Sequence, residues 1–341
     1  RFHPRENSFK YANVKNDRNN NCNLCQQGKI IGFANVDAGN NLLINPTFTS
    51  NYAQERYSPD QPLSSDGSVN EFGLDVTWSP NSNNTISGTY NPDFSQIEID
   101  GAQLNVNTNF ALYYPEKRPF FLDSADFFNS PSRLVYTRNI ADPDYGLRAT
   151  GRIGEQTYGF FGALDSETNI LRPGPYESYL DTIEGESTDL VGTYRYGFNE
   201  TANIGTLITS RSAENYDNTM ASIDGKWQKG ANTIIAQWMT SSTDDAKGYK
   251  ASTFTGNAYY INYDYSDREK TFRLVTSSLD PGFRADMGFI GQVDVQKYVV
   301  GGAYRWYPLE HFFNEIEVYS DWDMTQQISV EQLMERELEA S

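Results

Sequence analysis

The residues with the types and spacing to do chemistry gather between positions 91 and 140. Asn91-Pro92-Asp93-Phe94 leads to Gln96, Glu98 and Asp100. Then come Pro115-Glu116-Lys117-Arg118-Pro119-Phe120-Phe121, Asp123, Asp126, Tyr136 and Arg138. Carboxylates at this density suggest glycoside hydrolysis. That reaction needs two carboxyl groups about 5–5.5 Å apart for retention, or about 6.5–9.5 Å for inversion. Asp93, Glu98, Asp100, Glu116, Asp123 and Asp126 are the candidates. The competing reading pairs Glu116 with Lys117, Arg118 or Arg133, and makes the segment an ion-paired organiser. Nothing in the sequence shows the raised carboxyl pKa that an acid catalyst needs.

Other chemistries have less support. Cys22 and Cys25 form a lone C-x-x-C, and His3 and His311 lie far from it, so a four-ligand zinc site is not indicated. No His follows Cys25, and no βαβ context surrounds it, so haem attachment and thioredoxin-like chemistry are not indicated either. The pair is a disulfide candidate in an oxidising compartment, or two idle thiols. Asp142-Pro143-Asp144 and Asp321-Trp322-Asp323 are acidic runs, but neither matches the EF-hand loop. There is no G-x-S-x-G and no glycine-rich phosphate loop. The sequence therefore points to no cofactor and no metal.

The elements that must position these residues are strands. The chain has 341 residues, with 27 Lys+Arg against 45 Asp+Glu and a net charge of −18. Such acidity argues against nucleic acid as a partner, because phosphates need a basic surface. An aromatic content of 14% argues against disorder. No run of about 18 apolar residues exists, so a membrane-crossing helix is absent, but a β-barrel remains open.

From residue 69 a period-2 pattern begins. Phe72, Leu74, Val76 and Trp78 share one face, with Gly73, Asp75 and Thr77 on the other. The pattern returns at 86–90, 147–164, 190–208, 221–238, 259–274, 300–306 and 316–322. Strands of about ten residues match a tilted membrane crossing. Short turns near 79–83, 154–156, 199–200, 228–230, 266–269 and 308 alternate with long connections near 92–144, 165–187, 212–217, 243–256 and 280–291. Trp78, Trp227 and Trp306 all precede short turns, which places them at one end as an interfacial girdle. A soluble propeller or sandwich is the competing architecture, but its strands run only about five to six residues.

Arg148, Arg152, Arg195 and Arg273 share the polar face with Asp75, Asp224, Asp264, Glu315 and Glu317. They form either a transverse field for solutes or cross-strand ion pairs. Residues 91–140 break the pattern and are too long and aromatic for a solvated loop, so the sequence predicts that they fold inward as a plug or constriction.

The run Asn91-Pro92-Asp93-Phe94, Gln96, Glu98, Asp100, then Pro115-Glu116-Lys117-Arg118-Pro119-Phe120-Phe121, then Tyr136 and Arg138, resembles the signature of the bacterial DUF5916 family. The resemblance extends from about Gly28 to Asp280-Pro281-Gly282-Phe283. It implies an outer-membrane β-barrel, usually preceded by a family-9-like carbohydrate-binding domain. That domain and the second half of such a barrel are not in this sequence, and Ser341 is not a terminal aromatic. The family's molecular function is undefined.

The expectation is an all-β, antiparallel up-and-down transmembrane barrel, incomplete, with about twelve or more strands. Residues 1–68 form a loop-rich segment with one or two strands. Residues 69–323 form the strands, with 91–140 inserted as the plug. Residues 324–341 form an acidic tail or loop, and the whole is part of a longer protein. The expected role is an outer-membrane channel or receptor-like barrel. Asp93, Glu98, Asp100, Glu116, Lys117, Arg118 and Arg138 are its binding candidates. Expected partners are outer-membrane lipid and lipopolysaccharide, an envelope protein and a carbohydrate. The alternatives are a carbohydrate-active surface enzyme and a scaffolding barrel.

Overall fold

A computed structural model describes residues 14, 17–22, 24–28, 30–32, 41–52, 54, 56, 58, 60, 62–65, 67–92, 109–183, 185–246, 252–308 and 312–341. Nearly every ordered element is a strand. They are β1 (Asn41–Tyr52), β2 (Ser68–Asn81), β3 (Asn84–Tyr90), β4 (Pro143–Ile153), β5 (Gln156–Asp165), β6 (Thr168–Pro173), β7 (Ser178–Ile183) and β8 (Ser187–Asn199). There follow β9 (Ala202–Ala213), β10 (Tyr216–Lys229), β11 (Asn232–Asp245), β12 (Ser252–Ser266), β13 (Lys270–Leu279), β14 (Val295–Trp306), β15 (Ile316–Gln327) and β16 (Gln332–Ala340). All but β6 and β7 pair in chain order into one 14-stranded antiparallel sheet. The ladder stops at β1 and β16, which are its two open edges.

The strands are long: β2, β10 and β11 have 14 residues each and β12 has 15. Register keeps each face continuous. Trp78, Ile86, Ala149, Phe160, Gly192, Ile208 and Ala221 lie side by side across seven strands on one face. The adjacent row on the other face runs Thr77, Ser87, Arg148, Phe161, Val191, Thr209, Met220 and Ser241. The first face leaves large apolar side chains uncovered, among them Phe72, Leu147, Ile208, Ile223, Trp238 and Val318. Trp78, Trp227 and Trp306 all stand exposed on it, at the end where Ser82–Asn83 and Gly230–Ala231 turn the chain.

The second face is covered from within the chain. Residues 109–140 carry a single helical turn (Pro119–Leu122) and two 3-10 turns (Ala125–Phe128 and Thr137–Asn139). Phe120, Phe121, Phe128 and Ile140 pack there against Phe161, Ala163, Val191 and Met287. This stretch is the described part of the inward element expected at 91–140.

Several connections differ from expectation. Residues 280–294 are not an outer loop but a second inward element. Phe283 and Ala285 join Leu134, Leu207, Met220, Met239, Ala258 and Val293 in another buried cluster. Its apolar residues need burial, and the sheet's covered face supplies it. Residues 165–187 hold the hairpin β6–β7, with Ile170 and Leu171 buried. The expected long connection at 212–217 is a tight turn at Glu214–Asn215, made possible by Asn215 adopting φ 69°. The turn near Pro308 is instead a longer connection between Trp306 and Ile316. Residues 324–341 are neither tail nor loop: they finish β15 and form β16. Leu338 pairs beside Trp322 on the apolar face, while Glu337 and Glu339 alternate onto the other, so the stretch has strand period despite its charge. Ile30 and Ile31 lie outside any strand, and Phe33 is outside the described residues.

Candidate functional site

The inward elements are held by guanidinium–carboxylate pairs that leave little of their charge in water. Arg118 is the hub of residues 109–140. Its Nε and Nη2 donate to the two Glu116 oxygens at 2.9 and 2.8 Å, and its Nη1 and Nη2 donate to the Ile140 and Thr137 carbonyls. Thr137 Oγ1 donates to Glu116 Oε2 at 2.6 Å. Burial alone would push the Glu116 carboxyl up. The Arg118 hydrogen bonds and charge, with Thr137, outweigh that and hold it below its ordinary value of 4.5. An acid catalyst needs the opposite shift.

A lowered folded-state pKa stabilises above the ordinary carboxylate range and is lost as pH falls through the lowered value. The wild-type inward element is therefore expected to loosen at acid pH, starting below about pH 4.5. Glu116→Gln is expected to remove that acid-dependent part. Tyr136 and Phe289 pack in the same aromatic group. Protease sensitivity of 109–140 against pH measures the effect, and a variant profile identical to wild type would refute it.

Other arginines tie this element to the sheet. Arg148 on β4 donates to the Phe120 carbonyl, to Ser87 Oγ and to Asp123. Asp165 at the end of β5 accepts the Ala141 and Asp142 amides at 3.0 and 2.7 Å. Arg211 on β9 forks onto Asp189 of β8 at 2.7 and 2.8 Å, and donates to the carbonyls of Asn139 and Asn169. Both side chains of that pair have 0% exposure. One guanidinium thus joins the sheet, residues 109–140 and the β6–β7 hairpin. Tyr216 on β10 does the same for 280–294 by donating to Asp286, whose other oxygen accepts from Arg284 within the element. The two inward elements are stitched together by Asn139, whose Nδ2 donates to the Asp286 and Gly288 carbonyls, and by Phe289 N donating to Arg133 O.

Toward the short turns the same face carries charge outside these clusters. Arg195 pairs with Asp224 at 2.8 Å, Arg305 with Glu317 at 2.9 Å and Arg273 with Asp264 at 3.7 Å. These are cross-strand ion pairs. The first spans an intervening strand. Arg195 on β8 passes over Gly205 of β9, where a Cβ would sit 2.7 Å from its guanidinium carbon. Gly205→Val is expected to break this pair and to cost about 1–3 kcal/mol in electrostatics, because Arg195 is partly solvated while Asp224 is left buried without its cation. A urea midpoint shifted far beyond that would show that overpacking dominates.

Of the sequence candidates, Glu116 and Arg118 meet directly. Arg138 donates to the Pro115 carbonyl and stacks over Tyr114, and Lys117 N donates to Glu116 Oε1. Asp93, Glu98 and Asp100 lie outside the described residues. Asp123 and Asp126 are taken by Arg148 and Arg152. A cavity of about 280 Å³ remains beside the pair, walled by Phe120, Phe121, Phe128, Phe161 and Tyr136. Cys22 and Cys25 are joined as a disulfide. Asn21 beside it donates to the Gly230 and Ala231 carbonyls at the short-turn end. Among the described residues no His, Cys, Asp and Glu group is placed to hold a metal.

Arg211, Asp189, Asn139, Arg284 and Asp286 were not among the sequence candidates. One signal was available. Phe161, Val191, Leu207, Met220 and Met239 are apolar at positions whose parity belongs to the polar face, and they mark where that face is covered.

The matched family spans the inward element. Residues 42–153 match the family model described as Domain of unknown function (DUF5916). The DUF5916 match runs from β1 through β4 and contains both the Pro115–Phe121 run and the Arg118–Glu116 hub, ending at Ile153 rather than at Phe283. Solved structures similar to this chain include a variant of the Rh. blastica porin, at 12% identity and TM-score 0.34, covering 88% of this chain and 87% of that one. The outer membrane protein opdK from Pseudomonas aeruginosa is similar at 9% identity and TM-score 0.39, covering 85% and 74%. Acinetobacter baumannii OccAB2 is similar at 11% identity and TM-score 0.39, covering 88% and 74%. Comparison with curated proteins gives no match.

Proposed function

We propose that this chain forms wall and plug of a bacterial outer-membrane β-barrel that controls passage of solutes. The observation that carries the reading is the division of the sheet's two faces. One bears an uncovered apolar and aromatic layer suited to lipid. The other bears buried charge that holds 109–140 and 280–294 against it, through Arg211 of the Arg211–Asp189 pair donating to Asn139 and through Tyr216 donating to Asp286. An inward-facing, fully satisfied charge network positions an obstruction, and wall charges beyond it meet water. Glu116, with its carboxylate occupied by Arg118 and Thr137, serves the plug rather than hydrolysis. The link to carbohydrate rests on the family resemblance alone.

Planar-bilayer recording tests the proposal. The protein is expected to conduct weakly. Replacing 109–140 by a short Gly/Ser linker is expected to raise the conductance severalfold, and an oligosaccharide in the chamber probes the carbohydrate link. A deletion variant that inserts yet conducts like wild type would overturn the plug assignment.

A further inference from the structure

A third stretch of chain meets the covered face, at the end of the short turns. Gln26 ties residues 17–26 into a loop: its Nε2 donates to the Asp17 and Asn20 carbonyls, and its Oε1 accepts the Asp17 amide. The Cys22–Cys25 disulfide cross-links the same loop. Two asparagines dock it on successive turns. Asn21 donates through its amide to Gly230 O and through Nδ2 to Ala231 O, and Asn19 Oδ1 accepts the Arg268 amide. The clefts flanking the loop reach Lys226 and Gln228 of β10 on one side, and Arg305 of β14 and Glu317 of β15 on the other. These four have the inner-face parity, opposite to Trp227 and Trp306. Gln228 is buried although it stands at the end of its strand. The loop therefore crosses the inner rim of the sheet.

The docking is thin. Every described residue from 17 to 28 is exposed or half-buried, and Leu24 is 86% exposed, so no apolar core fixes the loop. Among the described residues, three hydrogen bonds join it to the turns. With so few contacts, docking depends on how little freedom the free loop has to lose, and a cross-link removes much of that freedom. The disulfide also stands where a thiol can reach it. Cys22 and Cys25 are only half-buried, and they line the cleft that holds Lys226. The Cys25 amide donates to Cys22 Sγ at 3.3 Å, which favours charge on that sulfur when the bond opens.

We infer that residues 17–28 are a strap across the short-turn rim, and that the Cys22–Cys25 disulfide is a catch which a dithiol releases. A thiolate of the dithiol attacks Cys25 Sγ. The Cys22–Cys25 bond breaks, and its electron pair leaves on Cys22, the sulfur that already accepts a hydrogen bond. The second thiol then attacks the mixed disulfide and frees Cys25. The chain gains two electrons and two protons, and the dithiol becomes a disulfide. The loop, no longer cross-linked, leaves the rim. Only the passage that the strap bars depends on the channel reading; release of the loop does not.

The test uses the full chain in detergent, with dithiothreitol as the dithiol. Amide hydrogen exchange at Asn21 and Arg268 is the readout, because both N–H groups bond across the docking contact. Reduction is expected to speed both about tenfold to thirtyfold, the effect of freeing a four-residue cross-linked ring. The ladder amides of β10 are expected to stay unchanged, which shows the sheet intact. Asn21→Ala is expected to speed exchange at Arg268 with the disulfide still closed. The double variant Cys22→Ser/Cys25→Ser is expected to exchange fast at both positions, with or without dithiothreitol. A disulfide that resists dithiothreitol in the folded chain would overturn the inference. So would reduction that leaves Asn21 and Arg268 as slow as before, since the cross-link would then hold nothing in place. Bilayer recording reports on the channel separately, so a released strap on a chain that does not conduct would count against the channel alone.

Discussion

Asp189→Ala is expected to cost about 3–5 kcal/mol, because it strips buried Arg211 of its paired carboxylate and leaves only the weaker influence of Asp286 and Asp165. Both side chains are fully enclosed, so no water repays the loss. The damage is not confined to one strand pair. Arg211 also donates to the Asn139 and Asn169 carbonyls, so its displacement frees the inward element and the β6–β7 hairpin together. Denaturant unfolding in detergent measures the cost. The double variant Asp189→Leu/Arg211→Met is expected to recover most of it, since an apolar pair of similar volume leaves no stranded charge. A single variant as stable as wild type would show that the pair anchors nothing.

The second large effect is expected from Gly256→Val. A Cβ at this position of β12 would lie 2.1 Å from the Phe283 nitrogen and 2.3 Å from the Gly282 carbonyl carbon. Backbone cannot yield as a flexible side chain can, so the 280–294 element must leave the face. The expected cost is about 3 kcal/mol, the upper end of overpacking effects. Arg284, buried against Asp286, becomes exposed in the process. Trypsin is then expected to cut after Arg284 in the variant and not in the wild type. Continued protection of Arg284 would mean that the close approach at Gly256 is dispensable.

Much of the wall was legible because a strand's period is fixed by its backbone. Phe72, Leu74, Val76 and Trp78 could share a face in only one way, and Trp78 and Trp227 before short turns placed one end of the sheet. The inward fold of 109–140 was legible from its aromatics and paired charges, since such a segment cannot rest in water. Three things were hidden. The second inward element at 280–294 is short, and most of its apolar partners lie far off in sequence: Phe283 clusters with Leu134 and Leu207, and Met287 with Phe120 and Val191. The anchoring groups Arg211–Asp189 and Tyr216–Asp286 are ordinary residues until register and burial are known. β16 was masked by its glutamates, which mimic a helical tail when counted but alternate with Leu338 and Arg336 once paired.

Cysteine scanning of β10 tests the central claim most directly: one face lies in lipid and the other encloses water and plug. Among the described residues the only cysteines are joined in a disulfide, so each introduced thiol stands alone. Single cysteines at Ala221, Ile223 and Gly225 face outward, and those at Asp224 and Lys226 face inward. In lipid vesicles the first set is expected to resist a charged thiol reagent, with attached fluorophores quenched by brominated lipid. Lys226 is expected to label from water, and fluorophores at both inward positions are expected to escape quenching. A strict two-residue alternation is the predicted result. Uniform labelling along β10, with no quenching at any position, would contradict the account.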